Sequence, residues 1–81
     1  MMPRFYMHLN ECGKVTPDPA GMTLDDCAAA RAEALKAARE IMCAEIAEGR
    51  LCLGCQIDVT DEAGEVVIRV PFREAVTITG A

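Results

Sequence analysis

Cys52-Leu53-Gly54-Cys55 is the first grouping in the chain whose types and spacing fit a chemistry. Two thiolates two residues apart chelate zinc or close a redox disulfide. A structural zinc needs about four ligands, and no second paired motif supplies them. A thioredoxin-type pair follows a strand and opens a helix, whereas this one follows a helical pattern and opens a strand pattern. By strand alternation Cys55 faces the core and Cys52 the connection. Small incidental thiols are therefore the favoured reading, and a zinc or redox role is kept as an alternative. No metal site and no cofactor are expected.

The single histidine gives a second grouping. Tyr6 and His8 alternate with apolar residues and fall on the same sheet face as Arg69. An aromatic, a histidine and an arginine on an open sheet are the parts that stack and clamp single-stranded bases. Asp58 shares that face, however, and one tyrosine is a small platform. No Ser/His/Asp or Cys/His triad is readable, since nothing in the sequence orients the one histidine. The carboxylate pairs Asp25-Asp26 and Asp61-Glu62 stand at a helix start and a turn, where acids are expected without catalysis. The sequence thus names no catalytic residue, and a non-enzymatic protein is expected.

Arg31 is the third feature. Leu24, Ala28, Leu35, Ala38, Met42 and Ile46 define an expected buried stripe at three- and four-residue spacing, and Arg31 falls at its centre. A charge there must pair or snorkel. The expectation is a clamp onto the 10–21 loop, for example onto Asp18, with an anion or partner site as the alternative.

The elements that carry these residues follow from periodicity. Phe5 to Leu9 alternates as a half-buried strand with Phe5, Met7 and Leu9 inward. Residues 10–21 are punctuated by Cys12-Gly13 and Pro17-Asp18-Pro19-Ala20-Gly21, with a short strand around Lys14 to Thr16. One long helix is expected from Leu24 to Glu48. Thr23 and Asp26 fit a capping box at its start, and Gly49 its end. Leu53, Cys55, Ile57 and Val59 alternate inward, Asp61-Glu62-Ala63-Gly64 makes a hairpin turn, and Val66, Ile68 and Val70 continue inward. Pro71 ends pairing or marks an edge. Phe72 to Ile78 reads as a turn and a terminal strand-like piece.

The order β-α-β-β predicts a two-layer α+β fold in one domain, residues 1–81. The helix lies on one face of a small antiparallel sheet with its three main strands ordered 1-3-2. A helix of ~25 residues spans ~37 Å, more than the ~30 Å breadth of a compact chain this long. One end should overhang the sheet. Ile41, Met42, Cys43 and Ile46 broaden the apolar arc there, so Ile41 and Ile46 are the expected contacts of a homodimer.

Composition excludes several classes. A net charge of −5 disfavours nucleic acid and anionic membranes as partners. No apolar run approaches the ~20 residues of a membrane span. Five cysteines, an odd number without the spacing of a stapled secreted domain, point to free thiols in the cytoplasm.

The chain resembles a family of short uncharacterised alphaproteobacterial proteins known as a domain of unknown function. The likeness rests on Pro3-Arg4-Phe5-Tyr6 with His8-Leu9, then Pro17-Asp18 with Gly21. It continues through Ala28-Ala29-Ala30-Arg31-Ala32-Glu33-Ala34, Val59-Thr60-Asp61-Glu62-Ala63-Gly64 and Val70-Pro71-Phe72. The resemblance implies a stand-alone bacterial cytoplasmic domain and transfers no activity. The Arg31 position belongs to the pattern, whereas Cys52 and Cys55 do not. The expectation is a small protein-interaction domain, homodimeric, with an unknown protein partner. A regulatory, antitoxin-like nucleic-acid module is the first alternative.

Overall fold

The computed structural model describes residues 3–11 and 13–80. Cys12, part of the expected punctuation, lies outside the described residues. The strands are β1 (Arg4–Glu11), β2 (Lys14–Thr16), β3 (Met22–Thr23), β4 (Gln56–Thr60) and β5 (Val66–Pro71). One helix, α1 (Cys27–Ala47), separates β3 from β4, and a 3-10 turn, η1 (Phe72–Glu74), follows β5. All strand pairs are antiparallel. The sheet runs β2-β1-β4-β5, with β3 beside β1 on the β2 side. The two-layer α+β expectation holds.

The expected order 1-3-2 does not. β4 sits directly between β1 and β5, and the reason lies before the helix. β2 and β3 run back along β1, pairing Leu9 with Thr16 and then Phe5 with Met22. The chain has therefore reversed once when it enters α1. A helix that returns it the length of the sheet then delivers β4 antiparallel to β1. The two strands pair at once, from Asn10↔Gln56 to Tyr6↔Thr60. The expected order, with β5 between parallel β1 and β4, would need that first reversal to be absent.

Both ends of α1 have identifiable stops. Thr23 is used in β3, opposite Arg4, so it cannot cap. Asp26 takes that role, its carboxylate accepting from the Ala29 N–H at 2.9 Å. The helix thus starts three residues later than Leu24. At the other end Gly49 has φ of 85°. Its N–H bonds to the Ile46 carbonyl and that of Arg50 to the Glu45 carbonyl, which is the Schellman pattern that needs a left-handed residue at this place.

The buried face of α1 also differs from expectation. Ala30, Ala34, Ala38, Met42 and Glu45 are the buried residues. Ala28, Arg31 and Ile46 are exposed, while Leu24 and Leu35 pack only partly against the core. Ala38 and Met42 are buried as expected; at its other positions the true stripe is shifted by about one residue, and Arg31 lies outside it. Three alanines at four-residue spacing let the helix lie close on β4 and β5. The sheet and η1 supply the bulk: Phe5, Cys55, Ile57, Val59, Val70 and Phe72 are buried against them.

β5 is displaced by a bulge. Val59 pairs with Ile68 but Thr60 with Val66, leaving Val67 extra. Val66 is thereby carried out of the inward set and is exposed, whereas Ile68 and Val70 keep their inward side. Beyond η1, residues 76–80 form no regular structure, so the expected terminal strand-like piece is absent.

Candidate functional site

The open face of the sheet, opposite α1, gathers the residues singled out for chemistry. The register sets His8 opposite Asp58 on one side of β4, and Asp58 opposite Arg69 on the other. Tyr6 lies two residues along from His8, with its ring nearly parallel to the imidazole at a centroid separation of 6.4 Å. The structure thus brings Tyr6, His8 and Arg69 onto one face, as the alternation indicated.

The partners of these groups decide what they can do. His8 Nδ1 accepts from the Asp18 backbone N–H at 3.0 Å, so that nitrogen carries no proton. His8 Nε2 is then the protonated nitrogen and donates to Thr60 Oγ1 at 2.9 Å. Both nitrogens are committed to the fold. Arg69 Nε stands 3.7 Å from Asp58 Oδ1, which also accepts from the Gln56 side-chain amide at 2.7 Å. A long, largely exposed ion pair of this kind adds little stability.

Asp18 is the organising residue of this face. Between β2 and β3 the chain leaves the edge of β1, and the Met7 N–H that points there has no strand to bond. Asp18 supplies the acceptor: Oδ2 takes the Met7 N–H at 3.1 Å, while Oδ1 takes those of Ala20 and Gly21, each at 3.2 Å. Burial pushes the Asp18 carboxyl up. The N–H groups of Met7, Gly21 and Ala20, helped by His8, outweigh it and hold the carboxyl below its ordinary 3.8. Gly21, at φ of 69°, closes this turn against Tyr6; a β-carbon there would meet the ring at 2.7 Å. Arg4 Nη1 ties the same turn from the outside by donating to the Ala20 carbonyl at 2.6 Å. Asp18 therefore serves β1 and His8, not Arg31.

The arginine that clamps α1 is Arg39, and it reaches a different segment from the 10–21 loop expected of Arg31. Arg39 Nε donates to the Ala75 carbonyl at 2.7 Å and ties the residue after η1 to the helix. Arg31 is exposed. Two turns separate the two positions, and in so alanine-rich a helix no sequence signal distinguished them.

The far end of α1 carries the second candidate surface. Ile46 is 61% exposed and Leu51 45% exposed, and the two line one shallow depression with Gly49 and Arg50. Gly49 makes this possible, because the Schellman turn folds the chain back so that Leu51 stands beside the last helical turn. Ile41 is half-buried against the core and is not part of this depression.

The third grouping is the cysteine pair. Cys55 is buried and Cys52 half-buried, with the two Sγ atoms 2.8 Å apart. Among the described residues no three His, Cys, Asp or Glu side chains converge as a metal site, and no helix is long and apolar enough to cross a membrane.

Fold and site together define a small α+β domain: one alanine-faced helix on an antiparallel sheet, whose open face is braced by a half-buried carboxylate at the edge of β1 and a fixed histidine. By sequence it belongs to the family described as "Domain of unknown function (DUF6894)", whose pattern matches residues 4–73. That span includes every element from β1 into η1. No curated protein and no solved structure matches the chain.

Proposed function

We propose that this chain is a small non-enzymatic interaction domain that self-associates through the C-terminal end of α1. The observation that carries the reading is the adjacent exposure of Ile46 and Leu51 at a helix end. Isolated exposed apolar residues are ordinary on a protein surface; two held side by side by a Schellman turn form the start of a patch. The other natural docking edge, β5, is blunted. It carries a bulge at one end, the Arg69 charge in the middle and Pro71 at the other, which are features that discourage strand addition. The open face offers no ready base, since both His8 nitrogens already have partners, and the Tyr6 ring is backed by Gly21. That favours an interaction role over catalysis or base stacking. The odd number of cysteines supports the cytoplasm as its setting.

The association should be weak. Full burial of an Ile or Leu side chain is worth roughly 1.5–3 kcal/mol. Burying the exposed parts of Ile46 and Leu51 on two copies then returns about 3–6 kcal/mol, against an association cost of at least ~4 kcal/mol. These two residues alone then leave a surplus of at most about 2 kcal/mol; a Kd on the order of 100 μM, about −5.5 kcal/mol, requires roughly another 3–4 kcal/mol from the contacts around them. Sedimentation equilibrium from about 10 μM to 1 mM, a range that brackets that Kd, should show a monomer–dimer equilibrium that Ile46→Glu abolishes. A wild-type protein that stays monomeric across the range would sink the proposal, as would an Ile46→Glu variant that still dimerises.

A further inference from the structure

We infer that Cys52 and Cys55 form a reversible dithiol–disulfide pair, a modification site that responds to low-molecular-weight disulfides. The two sulfur atoms already touch, at 2.8 Å, and their exposures are unequal. Cys52 is half-buried and offers a sulfur to an incoming reagent, whereas Cys55 is buried beneath it. That is the arrangement of an attacking thiol with a resolving partner. The segment around them suits a change of bonding. Residues 51–55 have no helix or strand, and the Phe72 N–H bonded to the Cys55 carbonyl at 2.9 Å ties their far end to η1. A loop of this kind adjusts to disulfide geometry more readily than a strand interior does.

The chemistry balances with a disulfide as oxidant. The Cys52 thiolate attacks one sulfur of oxidised glutathione, forming a mixed disulfide and releasing one glutathione thiolate. The Cys55 thiol loses its proton to solvent, attacks the Cys52 sulfur and expels the second glutathione thiolate, leaving the intramolecular disulfide. Two electrons pass from the protein to glutathione. The surroundings set the direction. Cys52 follows shortly after the C-terminal end of α1, the negative end of the helix dipole, so the helix gives no help to a thiolate. Thiolates stabilised at helix N-termini make their disulfides strong oxidants; without that help the disulfide here should hold once formed.

The test uses the full, unmodified chain. The reduced protein is incubated with oxidised glutathione, quenched with acid, digested and mapped by mass spectrometry, with a parallel sample re-reduced by dithiothreitol. The expected result is a Cys52–Cys55 linkage within one chain, a loss of two mass units at that peptide, fully reversed by dithiothreitol. Cys27 and Cys43, both exposed, serve as internal controls and should carry glutathione adducts instead. The inference is overturned if Cys52 and Cys55 end as separate adducts, remain thiols while the controls react, or link to any other cysteine. Stoichiometric zinc held by the two thiols in protein purified without chelator would overturn it as well.

Discussion

Replacing Asp18 by Asn tests the central claim about the open face, that a side chain stands in for a missing strand. Asp18 accepts three backbone N–H groups, of which those of Met7 and Gly21 are partly buried. A hydrogen bond to a charged acceptor is worth roughly 1.5–3 kcal/mol. Asn keeps one acceptor oxygen but loses the charge and the second oxygen. The expected loss is about 1.5 kcal/mol, and about 3 kcal/mol for Asp18→Ala, which strands the Met7 N–H altogether. A domain of this size has only ~4–12 kcal/mol in total, so Asp18→Asn should lower the melting temperature by about 6–12 °C. Far-UV circular dichroism is the natural probe, since the chain has no Trp and one helix. The pH dependence supplies a second, independent sign. The folded Asp18 carboxyl is held below 3.8, so its contribution is fully present above the unfolded value. It is lost as pH falls below 3.8 through the lower folded value. The gap between wild type and Asp18→Asn should therefore be full at neutral pH and close at low pH, where wild-type Asp18 also becomes neutral. Equal stability at neutral pH would refute the role assigned to Asp18. A gap of the same size at both ends of the titration would show that the side chain's shape matters and its charge does not.

The same structure makes sharper claims elsewhere. Gly21→Ala forces a β-carbon onto the Tyr6 ring at a positive φ and should cost about 2–4 kcal/mol in urea denaturation; a loss under ~0.5 kcal/mol would mean the turn is not held as described. Arg39→Ala should cost about 1 kcal/mol through the lost bond to Ala75, while Arg31→Ala should stay within ~0.5 kcal/mol of wild type, and the reverse order in a paired thermal melt would restore the clamp to Arg31. Glu45 is only 7% exposed, and its Oε1 has no hydrogen-bond partner among the described residues; Glu45→Met should be neutral or stabilising by about 1–2 kcal/mol, and a destabilisation of that size would reveal a partner for the carboxylate.

What the sequence made legible was whatever is encoded locally. The helix, the Asp61–Gly64 turn and the alternation of β1 and β4 each follow from neighbours a few residues apart. The turn shows why: Asp61 Oδ1 accepts from both Ala63 and Glu65, and Gly64 has φ of 85°. The stripe of α1 was legible at Ala38 and Met42 but one residue off elsewhere, because alanine occupies inner and outer positions alike and periodicity had little contrast to report. Thr23 looked like a cap until its pairing with Arg4 across the sheet claimed it. The commitment of His8 was illegible for the same kind of reason, since its partners lie 10 and 52 residues away. The motif Pro17-Asp18-Pro19-Ala20-Gly21 did announce a turn, but not that its carboxylate would complete the edge of β1.

The distribution of bulk in the core explains why function should be sought at the ends and edges of this domain. The helix contributes three alanines where it crosses the sheet, and the largest fully buried side chains, Phe72, Val59, Val70 and Cys55, all come from the sheet side. A helix seated on methyl groups lies close to the strands. The open face is no better supplied, because its one histidine and its arginine are already partnered. Features at the margin of that core include the Ile46–Leu51 surface and the half-buried Cys52, which sits against the buried Cys55. Both lie in residues 46–55, where the chain leaves the helix and turns back to the sheet. A domain whose layers are sealed and whose open face is braced has its adaptable chemistry concentrated in that one connection.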